Sequence, residues 1–129
     1  MSMVASKSPH SVSATAERVL AALEARGIRL FARIDHAAGA RAAGLELADE
    51  QVLVFGDPRA GTPLMQSDAR VGYELPLRLL VWERDGQTMI GYRPASELAE
   101  SYELGEHANV LARMDALLAQ LVSESIAAG

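Results

Sequence analysis

The residues best placed to do chemistry run from Gly56 to Met65, GDPRAGTPLM, where an apolar stretch gives way to glycines and prolines ahead of a predicted helix. A helix start leaves backbone N–H groups without intrahelical partners, and such groups attract anions. Thr62 offers a hydroxyl, Arg59 a guanidinium and Gln66 an amide one turn into the helix, with Gly56, Asp57, Gly61 and Met65 shaping the same spot. No lysine follows Gly61, so the phosphate-loop pattern is absent. The plainer reading is a strand-to-helix connection whose amides are satisfied by Thr62 and water. His36 is the second candidate, for ligand binding and for catalysis. It follows Asp35 at a strand end, where a carboxylate can orient an imidazole or raise its basicity. Asp57 would complete a His/Asp pair if the two strands were neighbours. No Ser or Cys is visibly presented to His36 as a nucleophile, and it equally suits a helix cap or a bond to a backbone carbonyl. His10 and His107 lie far from it in sequence, so no metal site and no cofactor are expected. Met65, Met89 and Met114 read as core fillers.

The elements that must carry these residues follow from periodicity. Ser13 is read as the cap of a helix bearing Ala16, Val19, Leu20 and Leu23, with Gly27 just past its end. Ile28 to Ile34 alternates as a strand does, and the small residues from Ala37 to Leu45 predict a short helix or turn. Val52 to Phe55 is apolar throughout, which predicts a central strand covered on both faces. Thr62 and Pro63 then cap and open a helix to about Val71. Leu77 to Trp82 and Gln87 to Tyr92 flank Asp85-Gly86, the pattern of a tight antiparallel hairpin. Trp82, Glu83 and Tyr92 are expected to cluster across it. Pro94 opens a short helix through about Tyr102. A last helix from about Glu106 carries Val110, Leu111, Met114, Leu117, Leu118, Leu121 and Val122 in one stripe. The expected fold is α/β of the α+β type, a single-domain sandwich in which helices pack on a four-stranded mixed sheet, with the strands from Ile28 and Val52 parallel. Residues 1–10 are expected to be a mobile N-terminal tail and 11–129 a single α/β domain.

Composition narrows the partners. Half of the 129 residues are apolar, enough for one core, and 17 acidic residues against 12 basic give a net charge of −5. Without a Lys/Arg block to neutralise phosphates, nucleic acid is not expected as a partner. The absence of cysteine excludes disulfides and thiolate chemistry. The apolar runs are too short for a membrane span or a signal peptide, so no membrane partner and a cytoplasmic location are expected.

Three stretches, FARIDHAAGARAAGLEL, LVFGDPRAGTPLMQ and LPLRLLVWERDGQTMIGYRPASELAESY, resemble the bacterial and archaeal family catalogued as domain of unknown function 302. The resemblance covers about Ser11 to Leu121. It is most specific at Asp35-His36-Ala37-Ala38, at Phe55-Gly56-Asp57-Pro58 with Gly61-Thr62-Pro63-Leu64-Met65, and at Leu75-Pro76-Leu77 leading to Trp82-Glu83. The family's usual pattern has Asn where this chain has Asp57, and Asp or Asn-Asp before the proline matching Pro94, where this chain has Arg93. The resemblance implies a compact α/β fold that tends to form homodimers and brings no established activity with it.

The resulting expectation is a homodimeric, bacterial, non-enzymatic domain binding a small anionic or amphipathic ligand near residues 56–65. The alternatives are an interaction module without a ligand, and a hydrolase or isomerase using His36 with Asp35 or Asp57.

Overall fold

The computed structural model describes residues 3–129, and the tight turn expected at Asp85-Gly86 is present, both residues taking positive φ, 52° and 78°. The described strands are β1 (Val4–Ser8), β2 (Arg29–Asp35), β3 (Glu50–Gly56), β4 (Leu77–Arg84) and β5 (Gln87–Tyr92). They form one sheet in the order β1-β5-β4-β3-β2, every neighbouring pair antiparallel. The helices are α1 (Val12–Ala25), α2 (His36–Ala42), α3 (Pro58–Ser67) and α4 (Ala108–Ser125), with short 3-10 helices at Ala69–Tyr73, Ala95–Glu100 and Gly105–His107.

The α/β class and the helices on the sheet match expectation, but five antiparallel strands replace four mixed ones. Val4–Ser8 falls within the stretch expected to be a tail, and it pairs with β5 from Val4 opposite Tyr92 to Ser8 opposite Thr88. The strands expected to be parallel, β2 and β3, are antiparallel because the chain between them holds only the seven-residue α2, which turns the chain instead of crossing the sheet.

One face of the sheet is covered by α1 and α4. Leu53 and Phe55 of β3, Leu79 and Val81 of β4 and Ile90 of β5 are fully buried against Ala16 and Val19 of α1 and Leu118 and Leu121 of α4. Each such side chain contributes about 1.5–3 kcal/mol relative to exposure. Burial also decides where α1 begins. Val12 is already in the core, so Ser11 and not Ser13 is the cap, its hydroxyl accepting from Ala14 N at 3.0 Å. A second cluster, Leu64, Val71, Ala95, Leu104, Leu111 and Met114, sits under the segments beside α4. There Asp115 accepts from Ala95 N at 2.5 Å and Ser96 N at 3.3 Å, fixing the segment after β5.

The opposite face is open. Along β3 the residues alternate, Leu53 and Phe55 buried beneath the helices and Val52 and Val54 half-buried on the other side. The expectation that this strand is covered on both faces therefore fails within the chain. Register places Ile34, Val52, Leu80 and Gly91 in one row of the open face, with Trp82 opposite Met89 in the next. Tyr92 points to the helix side, so the expected Trp82–Tyr92 cluster does not form.

Candidate functional site

The start of α3 was the expected anion site, and the chain's own carboxylate occupies it. Asp57 is the cap and Pro58 the first helical residue, one turn earlier than the predicted start at Thr62 and Pro63. Asp57 Oδ1 accepts from Arg59 N at 2.9 Å, and the Asp57 carbonyl accepts from Ala60 N at 2.9 Å and Gly61 N at 3.1 Å. Arg59 in turn donates to both Asp57 oxygens, at 3.2 and 3.1 Å, and this bond holds the Asp57 carboxyl below its usual range. The amides and the guanidinium proposed for a bound anion are thus engaged locally. Thr62 sits inside α3 and caps nothing there.

What the loop does build is a cavity of about 210 Å³. Of the predicted ligand set, Gly56, Asp57, Gly61, Thr62 and Met65 line it; Arg59, Gln66 and His36 do not. Phe31, Leu75, Met114 and Leu117 complete a wall that is almost wholly apolar. Gly61 puts no side chain into this space; a Cβ there would stand in ordinary van der Waals contact with Leu75 Cδ1 at 3.5 Å and Met65 Cε at 3.9 Å, and a longer side chain would fill it. The contributions of β2 and α4 escape a reading of the sequence. Phe31 reaches the cavity at a break in the β2–β3 register between Leu30 and Ala32, and a local alternation pattern gives no sign of it. Leu117 and Met114 lie in a stripe that reads simply as core.

His36 is the first residue of α2 and is exposed. Its neighbour Asp35 does not orient it, because the Asp35 carboxylate caps α2 by accepting from Ala38 N at 2.9 Å. Asp57 is out of reach. Asp35 lies opposite Gln51, and Asp57 follows six residues beyond Gln51, so at ~3.4 Å per residue roughly 20 Å of strand separates the two ends. Antiparallel pairing thus puts the His36 and Asp57 candidates at opposite ends of the sheet, and the hydrolase or isomerase arrangement is not assembled. No group of three His, Cys, Asp or Glu among the described residues is placed to hold a metal.

These features define an α/β domain with an antiparallel sheet, helices on one face and a small apolar cavity at one end. The chain belongs to the family described as Domain of unknown function DUF302, whose pattern matches residues 4–121. Its fold is that of a crystal structure of an uncharacterized conserved DUF302 protein from Bacillus stearothermophilus, with a TM-score of 0.86 at 20% identity over 97% of this chain and 98% of that one. It is also similar to the fluoride-specific ion channel FluC 1 of Brucella suis biovar 1 (strain 1330), 39% identical over 109 residues that make up 84% of this chain and 43% of that protein. The FluC 1 of Brucella abortus biovar 1 (strain 9-941) shares 39% over 109 residues, 40% of its length. The chain therefore spans about two fifths of these relatives. No described helix is long and apolar enough to cross a membrane.

Proposed function

We propose that this chain is a non-catalytic binding domain that takes a small apolar or amphipathic molecule in the cavity behind residues 56–65. The supporting observation is the cavity itself, apolar in its wall and with no side chain at Gly61. Asp57 lies far from His36 and the Asp35 carboxylate caps α2, which argues for binding over turnover. The Brucella name describes proteins more than twice as long as the matched region, and channel activity is not part of this proposal. Native mass spectrometry of the purified protein tests the reading directly: a small extra mass that leaves on denaturation supports it. The second arm uses the fluorescent probe N-phenyl-1-naphthylamine. The parent chain should bind it, and Gly61→Leu, with unchanged circular dichroism, should bind it about tenfold less. Equal binding by both would overturn the proposal.

The open sheet face favours a second, compatible reading, a homodimer. Val52, Val54, Leu80 and Trp82 form an apolar surface of the kind normally covered. A second copy packed face to face would cover it. Sedimentation equilibrium should give a dimer for the parent chain and a monomer for Trp82→Arg. A monomeric parent chain would remove this reading and leave the cavity proposal standing.

A further inference from the structure

A second groove lies at the same end of the sheet, across Leu77 from the first cavity, and its chemistry is different. Arg78 lies in β4 and Arg93 directly follows β5, two basic residues at this groove in a chain whose net charge is −5. Each has a glutamate nearby, but beyond hydrogen-bond range: Arg78 to Glu74 is 4.0 Å and Arg93 to Glu97 is 3.7 Å. The Glu97 oxygen facing Arg93 is buried and has no hydrogen-bond partner among the described residues. The two arginine side chains are half exposed, 57% and 47%, and their donors remain available.

Both arginines line a groove of about 340 Å³. Met3, Val52, Leu77, Leu80 and Leu98 supply its apolar wall, with the Met3 side chain lying over Gly91. We infer that this groove binds the carboxylate of an amphipathic organic acid through Arg78 and Arg93, with the acid's apolar body along that wall. A guanidinium fork matches a carboxylate in two parallel bonds. Glu74, itself in the lining, and Glu97 offset part of the positive charge from beyond hydrogen-bond range, so a single carboxylate is favoured over a phosphate dianion. This site does not depend on the cavity behind residues 56–65.

Calorimetric titration with octanoate tests it, using the parent chain, Arg78→Gln, Arg93→Gln and Gly61→Leu, each checked for fold by circular dichroism. The parent should bind one octanoate, either arginine variant should weaken binding about tenfold or more, and Arg93→Lys should recover part of the loss. Gly61→Leu should bind as the parent does, and neither 1-octanol nor inorganic phosphate should compete. Absence of octanoate binding, binding indifferent to both arginines, or equal competition by phosphate would overturn the site. Loss in Gly61→Leu alone would also overturn it, by moving octanoate into the first cavity.

Discussion

Four helix starts among the described residues are closed by the side chain of the capping residue, three of them acids. Asp35, Asp57 and Asp68 each accept a backbone N–H two or three residues on, and Ser11 does the same for α1. Ser11→Ala should lower stability by about 1 kcal/mol in urea unfolding. Thr62→Ala, at a position that looks like a cap in the sequence, should change it by less than about 0.5 kcal/mol. Thr62-Pro63 reads as the start of α3, yet Asp57-Pro58 opens the helix and Thr62-Pro63 falls inside it. Ala60, between the two positions, packs against the second cluster beside fully buried Leu64, a contact that a local pattern does not reveal. The caps also set a pH dependence. Hydrogen bonds from Arg70 hold the Asp68 carboxyl well below its usual range, with further help from Glu103 N, and Arg59 and Arg26 do the same for Asp57 and Glu124. A carboxyl whose pKa is lower in the folded state stabilises above its unfolded pKa, and that stability is lost as pH falls through the folded value. The urea midpoint should therefore fall on acidification from about pH 5 to about pH 2, and Asp68→Asn should flatten the lowest part of the curve.

Among the elements, those with strong local codes were legible. The β4–β5 hairpin follows from Asp85-Gly86 between two apolar runs, and α4 from a stripe sustained over its length. β1 was not legible, because VASKS has no apolar alternation and most of its side chains stay exposed. Its strand character comes from the edge of β5. Gly91 permits that pairing at close quarters, since a Cβ there would lie 2.8 Å from Met3 Sδ and 3.0 Å from Val4 O. The sulfur can swing aside, but the carbonyl belongs to the β1 backbone. Gly91→Ala should therefore loosen β1, and amide exchange at Val4–Ser8 should accelerate while β3 and β4 remain protected. The direction of β2 against β3 was equally hidden, because a stretch of small residues does not say whether its helix crosses the sheet or merely turns the chain.

For the molecule as a whole, the candidate site was half legible: the loop from Gly56 to Met65 does border a cavity, while the distant walls and the groove lined by Arg78 and Arg93 are products of topology. The same topology ties the two ends of the chain together. Arg18 of α1 donates to the carbonyls of Ser125 and Ala127, at 3.0 Å each, and His10 Nε2 lies 2.7 Å from the Ala127 carbonyl. β2 to β5 form a meander in which each strand pairs with the one before it, so most of the sheet can assemble from nearby pieces of chain. β1 is different, since its one partner among the described residues is β5, the last strand in chain order. During synthesis the first strand leaves the ribosome long before β5 exists, and it has no edge to join until the hairpin is complete. Closure of the N-terminal strand therefore cannot precede the hairpin, and the β5 edge stays open to pairing with other chains until it happens.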